Sequence, residues 1–120
     1  MATTKKATEN TAKPVTLTND KGEKLVLDID RDMVLRMEDE GYGSDVLADL
    51  METKPNKGSI ILTYYSMLKN KPDATIEDAK ELYFTLGVKS GIVERLSSLY
   101  GYSATSLIDG DTKNVTWTMD

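Results

Sequence analysis

The stretch from Thr75 to Gly101 limits the possible folds of this chain most strongly, because it has the pattern of two amphipathic helices separated by a short joint. Thr75 followed by Asp78 is an N-terminal capping signal, and apolar residues then recur at spacings of three and four. Gly87 is predicted to end the first helix, and Gly101 to end a second helix that opens at Ser90. The sequence therefore predicts a helical hairpin whose apolar faces are covered by the rest of the chain.

A β-hairpin is predicted near the N-terminus, where apolar and polar residues alternate. Val15 and Leu17 alternate with threonines before the turn sequence Asn-Asp-Lys-Gly, and three further aliphatic residues alternate after it. Residues 1–13 contain too little apolar surface to offset the entropy of ordering. We therefore expect residues 1–13 to form a flexible arm and residues 14–120 to form a single α+β domain.

Three more helices are predicted between the hairpin and the capping signal, which gives about five in a small helical core. Each begins near a residue that favours an N-cap or a loop and carries an apolar stripe at helical spacing. The sequence TKPNKG, with its proline and glycine, is predicted to be a loop. The predicted helices run from the N-cap Asp30 to Gly41, over Asp45–Glu52 with Ser44 as N-cap, and over Ser59–Asn70.

The last residues of the chain carry a second strand-like pattern. Val115, Trp117 and Met119 alternate with threonines, which is typical of a β-strand. A two-stranded hairpin is marginally stable in water without further packing, so we expect this C-terminal strand to pair with the hairpin and to bury Trp117. The alternative is that the strand is unpaired in the free protein and adds to the sheet of a partner.

Composition argues against several functional classes. The net charge of -5 and the pI of about 4.8 disfavour nucleic acids and anionic membranes, since both repel an acidic surface. The chain has no histidine and no cysteine, which removes the commonest general base, thiolate nucleophiles and most zinc ligands. We therefore expect a protein that is not an enzyme and that needs no cofactor.

No stretch of the sequence has the length and apolar character of a transmembrane helix, and the N-terminus lacks the apolar core of a signal peptide. We expect a soluble protein that stays inside the cell. One acidic spacing is similar to that of a calcium loop, Asp28-x-Asp30-x-Asp32, but Met33 stands where such a loop needs glycine. A strand end that leads into a helix cap explains the same acids, and we favour that interpretation.

Three aromatic residues are candidates for contact with a partner protein. Phe84 falls off the apolar stripe of its predicted helix, and Tyr65 lies at the edge of another stripe. Large aromatic residues are more often buried against a neighbouring element, which is the alternative for Phe84 and Trp117. Exposed aromatics would instead serve as anchors for a partner. The candidate partner-binding residues are Phe84, Tyr65 and Trp117.

Several of these features occur together in one known family. An arginine-led helix that ends in Met-Glu-x-x-Gly-aromatic follows the hairpin, a later helix contains Leu-x-x-Leu-Tyr, and a tryptophan lies close to the C-terminus. The pattern resembles the small tail assembly chaperones of long-tailed bacteriophages over nearly the whole chain from Val15. The positions that carry the resemblance are Arg31, Met37, Glu38, Gly41, Tyr42, Leu96, Leu99, Tyr100 and Trp117.

The resemblance implies a non-enzymatic protein of the infected bacterial cytoplasm that is absent from the finished virion. It also implies binding to the tail tube protein, the tape measure protein or both during tail assembly. The alternative is a structural component that stays in the particle, such as a head–tail connector or a minor tail protein. Detection of the polypeptide in purified virions separates the two functions. The sequence leaves the oligomeric state open.

Overall fold

A computed structural model describes residues 13–109 and residue 119. This part of the chain forms a two-stranded antiparallel sheet and five α-helices, which confirms the predicted α+β class. The predicted N-terminal arm, apart from Lys13, and the predicted C-terminal strand, apart from Met119, lie outside the described residues. The elements are β1 (Val15–Thr18), β2 (Lys24–Leu27), α1 (Arg31–Asp39), α2 (Ser44–Thr53), α3 (Pro55–Leu68), α4 (Ile76–Leu86), a 3₁₀ turn (Val88–Ser90) and α5 (Ile92–Asp109).

The N-terminal hairpin forms as its alternation predicts. β1 and β2 pair with Val15 opposite Leu27 and Leu17 opposite Leu25, so these four aliphatic side chains share one face of the sheet. The side-chain oxygen of Asn19 holds the turn, because it accepts two backbone hydrogen bonds of 2.9 Å from residues further along the turn. The shared aliphatic face is turned toward the helices.

The centre of the fold is α3, and not the helical hairpin predicted over residues 75–101. Buried residues occur on every face of α3 between Gly58 and Leu68, because α2, α4, α5 and β2 all pack on it. α4 packs mainly against α3, while α5 packs against α1 and α3. The prediction that the two helices of residues 75–101 pack on each other as a helical hairpin is therefore wrong. Two one-sided helices require a covering surface, and α3 supplies that surface to both.

The start and the end of α4 agree with the sequence prediction. The Thr75 Oγ1 atom accepts a hydrogen bond from the Asp78 N–H at 3.1 Å, and the Asp78 carboxylate accepts one from the Thr75 N–H at 3.0 Å. This reciprocal pair is the capping box that the spacing indicates. Gly87 ends the helix with a φ of 73°, a conformation that favours glycine.

The sequence TKPNKG does not form the predicted loop. α2 ends at Thr53 and α3 begins at Pro55, so Lys54 alone separates them. Proline is favoured at the first helical position, where its missing N–H would have no intrahelical acceptor. Gly58 lies inside α3 at the point where α2 comes closest. A Cβ on Gly58 would stand 2.7 Å from Met51 Sδ and 3.2 Å from Met51 N, so glycine permits this close approach.

Two other helix boundaries differ from the prediction. Gly43 is the N-cap of α2, and Ser44 is the first helical residue, so Ser44 does not cap the helix. α5 runs from Ile92 to Asp109 without a break, so Gly101 does not end the helix as predicted. An exposed glycine costs a helix about 1 kcal/mol relative to alanine. The packing of both halves of α5 outweighs this cost.

Helix α1 begins where the sequence predicts. Asp30 Oδ1 accepts a hydrogen bond from the Met33 N–H at 2.9 Å, and Lys69 Nζ lies 3.0 Å from the carboxylates of both Asp28 and Asp30. Burial opposes ionisation of Asp30, but the bond from Met33 and the Lys69 ammonium outweigh burial and lower its pKa. The interpretation as a strand end and a helix cap is confirmed, with a lysine between the two carboxylates.

α5 is joined to α1 by buried polar contacts. The Arg31 guanidinium donates to Ser106 Oγ at 2.8 Å and to the Ser106 carbonyl at 3.0 Å. The Ser103 hydroxyl donates to the Ile29 carbonyl at 2.7 Å. Leu99, one turn before Ser103, is 2% exposed. These contacts fix α5 to α1 and to the segment between β2 and α1.

Candidate functional site: a groove beneath the hairpin

An open groove separates the tip of the hairpin from α4. We call it the hairpin groove and define it by its apolar lining. The groove encloses about 590 Å³ and has a polar rim that includes a lysine on each side, Lys24 on the hairpin and Lys71 after α3. It is the larger of the two adjoining hollows beneath the sheet. The apolar lining consists of Leu17, Leu25, Met67, Leu82 and Leu86.

The groove lies where the hairpin packs less closely on the helices than it does at its base. Leu27, near the base, is fully buried, whereas Leu17 and Leu25, nearer the tip, are partly exposed. Leu82 and Leu86 are one turn apart on α4 and present a second apolar wall. The two walls face each other across the groove without filling it. An apolar surface of this kind, with a polar rim, is typical of sites that bind a polypeptide.

A smaller hollow of about 100 Å³ continues the groove under β1. We call it the edge pocket. It shares Leu17 and Leu86 with the hairpin groove, and it reaches the beginning of α5 at Ile92 and Arg95. Because two lining residues are common to both hollows, a single extended ligand could occupy the edge pocket and the hairpin groove together.

Arg95 is the cationic group of the edge pocket. Its Nη2 donates a long hydrogen bond of 3.4 Å to the Lys13 carbonyl. Its Nε is buried and has no hydrogen-bond partner among the residues that the structure describes. A buried N–H of a charged group without an acceptor is costly, and its preferred acceptor is a carboxylate. This site therefore favours an anionic ligand group.

The three predicted contact residues do not lie together. Phe84 is 64% exposed and is not among the residues that line the groove, so the exposed alternative holds for Phe84. Tyr65 is 3% exposed, which corrects the expectation that it belongs to an exposed contact surface. Trp117 lies outside the described residues. Of the three, Phe84 alone is shown to present a free surface.

Tyr65 instead fixes the end of α1 to α3. Its hydroxyl donates to Glu40 Oε1 at 2.5 Å, and Arg36 Nε donates to Glu40 Oε2 at 3.0 Å. The Tyr65 ring lies 5.8 Å from the Tyr42 ring. Burial and then the bond to Glu40 raise the pKa of Tyr65. The bonds from Tyr65 and Arg36 lower the pKa of Glu40. Tyr65 therefore has a structural role, since its bond to Glu40 fixes the end of α1 to α3.

The positions that carry the family resemblance are mainly structural as well. Arg31 of α1 donates hydrogen bonds to Ser106 of α5. Gly41 has a φ of 94°, and the Tyr42 ring packs on the Tyr65 ring. Met37, Leu96, Leu99 and Tyr100 are buried. These positions preserve the packing of α1, α3 and α5. The resemblance therefore concerns the core, and the groove residues are not part of its pattern.

The sequence interpretation did not identify the groove, although it placed each groove residue on an apolar face. Leu17 and Leu25 belong to the alternating pattern of the hairpin, and Leu82 and Leu86 belong to the stripe of α4. Such patterns predict burial, but they do not contain the distance between a hairpin tip and a helix. The one sequence feature that could have indicated the groove is the short link from β2 to α1. This link fixes the base of the hairpin but not its tip.

Two further properties of the described chain bear on function. In residues 13–109, no group of three or more acidic side chains is arranged to hold a metal ion. None of the described helices combines the length and the apolar character that a membrane crossing requires.

Comparison with known proteins gives one match. The model of the family described as Domain of unknown function (DUF5055) matches residues 4–120. No curated protein and no solved structure matches the chain. The matched region includes every residue that the structure describes, and it includes all of the hairpin groove.

Proposed function

We propose that this chain, which belongs to the DUF5055 family, is a non-enzymatic tail assembly chaperone of a long-tailed bacteriophage. Its partners would be the tail tube protein, the tape measure protein or both, and it would act in the cytoplasm of the infected host without entering the virion. The partners and the location come from the resemblance. The observation that carries the proposal is the hairpin groove, since a chaperone of this kind must hold an apolar segment of another protein.

The groove is suited to a polypeptide by its size and by its lining. Its volume of about 590 Å³ falls in the range of sites that hold ligands of several residues or fewer. Leucine and methionine dominate the lining, and methionine adapts to side chains of different shapes. Lys24, Lys71 and Glu23 all lie at the rim, so charged groups of either sign that flank the apolar segment would meet an opposite charge. The groove therefore supports transient binding of an apolar segment.

The test is capture of the two tail proteins from the same phage genome. A tagged full-length chain is coexpressed with the tail tube protein or the tape measure protein, and the complex is measured after affinity purification. Leu82→Glu places a carboxylate in the groove and should reduce capture at least tenfold, because a buried unpaired charge is strongly unfavourable. Thermal unfolding followed by circular dichroism verifies that the variant is folded.

Phe84→Glu is the matched variant, since it introduces the same charge on the same helix but at a position that does not line the groove. We expect it to capture the partners as well as the original chain does. Loss of capture in Phe84→Glu with normal capture in Leu82→Glu would move the binding surface to the exposed aromatic. Detection of the polypeptide in purified virions would instead favour the alternative of a structural component.

A further inference from the structure

The outer edge of β1 differs from the outer edge of β2. The Asn19 N–H donates a hydrogen bond of 3.0 Å to the Glu23 carbonyl, so Asn19 and Glu23 form a hydrogen-bonded pair. Hydrogen-bonded and non-hydrogen-bonded pairs alternate along an antiparallel ladder. The backbone N–H and C=O groups of Thr16 and Thr18 therefore point away from β2. In residues 13–109, no backbone or side-chain hydrogen bond reaches these groups from outside the hairpin. Among residues 13–109, the outer edge of β1 therefore has no pairing partner, and an unpaired edge is the geometry to which an additional strand can bind.

The outer edge of β2 is already occupied. Asp28 N–H donates to the Ser66 carbonyl at 2.9 Å, and Asn70 Nδ2 donates to the Val26 carbonyl at 3.3 Å. Both acceptor and donor belong to the end of α3 and the residues that follow it. In the described part of the chain, the outer edge of β1 is therefore the better site for an additional strand.

The edge pocket lies where the side chains of such a strand would point. Directly opposite residues of neighbouring strands share a face, so the inward side chains of an added strand would point in the same direction as Val15 and Leu17. Both residues line the edge pocket, together with Leu86 and Ile92. The pocket encloses about 100 Å³, less than the roughly 150 Å³ cavity that accepts a benzene ring. An aliphatic side chain fits this size.

Arg95 adds a charge requirement. Arg95 lines the same pocket, and its buried Nε has no acceptor among the described residues. A carboxylate on the inward face of the added strand, two residues from the aliphatic side chain, would supply the acceptor. The edge of β1, the apolar pocket and the Arg95 side chain, whose Nε lacks an acceptor among the described residues, together favour one kind of ligand.

We propose that β1 accepts an extended segment of the partner protein by strand addition. In that segment, aliphatic residues alternate with polar ones, and one inward position carries Asp or Glu that binds Arg95. The inference rests on the proposed function in that the segment belongs to the protein that the chaperone holds. It adds the mode of binding and the sequence pattern of the bound segment.

The probe is the synthetic peptide acetyl-Thr-Val-Thr-Asp-Thr-Val-Thr-amide, and the control peptide has Asn in place of Asp. Binding to the full-length chain is measured by isothermal titration, and protection of the Thr16 and Thr18 amides by hydrogen exchange. We expect protection of both amides on binding. We also expect at least tenfold weaker binding of the Asn peptide, since a charge-assisted hydrogen bond is worth roughly 1.5–3 kcal/mol.

Two variants test the two contacts separately. Thr16→Pro removes an outward N–H, is tolerated on an edge strand, and should weaken binding at least tenfold, whereas Thr16→Val keeps the N–H and should bind normally. Arg95→Met keeps much of the side-chain stem and should bind the Asp and Asn peptides equally. Circular dichroism verifies folding of each variant.

Three results would overturn the inference. The first is absence of peptide binding, and the second is equal binding by Thr16→Pro and Thr16→Val. The third is protection of the Thr16 and Thr18 amides in the free full-length chain, which would mean that the chain's own residues occupy the edge. If Thr16→Pro and Arg95→Met capture the tail proteins as well as the original chain does, strand addition is refuted. The proposed function would still stand in that case.

Discussion

Two helical glycines should respond in opposite ways to the same substitution. Gly58 lies where α2 and α3 approach each other, and a Cβ would stand 2.7 Å from Met51 Sδ and 3.3 Å from the Leu50 carbonyl carbon. Gly101 lies on the exposed surface of α5, and a Cβ there would have nothing within 4 Å. Alanine in place of glycine in a helix gains about 1 kcal/mol in both cases. The two variants therefore differ mainly in the strain at Gly58.

The expected values follow from this comparison. Gly101→Ala should stabilise the protein by about 0.5–1 kcal/mol, because the gain in helix propensity is unopposed. Gly58→Ala forces an additional carbon into a packed contact, which typically costs about 1–3 kcal/mol. The Met51 side chain can move, but the backbone atoms near the new Cβ belong to α2. Gly58→Ala should therefore be less stable than Gly101→Ala by about 1–3 kcal/mol.

The assay is urea unfolding followed by circular dichroism, with the free energy of unfolding of each variant compared with that of the original chain. The m-values should agree, which shows that the denatured states are similar. Equal stabilisation by the two substitutions, to within about 0.5 kcal/mol, would refute the argument. It would mean that the turn between α2 and α3 is looser than the contact at Gly58 implies.

Two further predictions concern the core and its pH dependence. Leu96 is 1% exposed, so Leu96→Ala should cost about 2–5 kcal/mol, while Ser97→Ala on the exposed side of α5 should cost less than about 0.5 kcal/mol in the same urea assay. The bond from Tyr65 lowers the pKa of Glu40, so its stabilising effect is present above the unfolded pKa of about 4.3 and is lost as the pH falls through the lower folded pKa. Tyr65→Phe should accordingly cost about 1 kcal/mol at neutral pH and progressively less in acid, and a cost that does not change with pH would contradict this role.

Local signals were sufficient for much of the fold. The capping box at Thr75 and the N-cap at Asp30 depend on residues three positions apart, and both form as predicted. The hairpin register follows from alternation and turn chemistry. Features of this kind are predictable because the interacting groups are close in the sequence.

The errors have a common physical cause, which is that packing between distant segments overrode local preference. Glycine disfavours helices, yet Gly58 is helical, and its small size allows α2 and α3 to pack closely together. Gly101 is helical because the two halves of α5 pack on different neighbours. The buried position of Tyr65 depends on Glu40 and Tyr42 of the preceding segment. The groove depends on the distance between two packed units, and no sequence pattern contains that distance.

The interface between α1 and α5 also has a consequence for folding during synthesis. The bonds from Arg31 to Ser106 and from Ser103 to Ile29 join residues 75 and 74 positions apart, whereas α3 makes its largest contacts with α2 and α4, its neighbours in the chain. During synthesis α3 can meet α2 and α4 early, whereas α1 meets α5 only after residues 103–106 have been added. The contact between α1 and α5 is therefore made later than the contacts of α3 with α2 and α4.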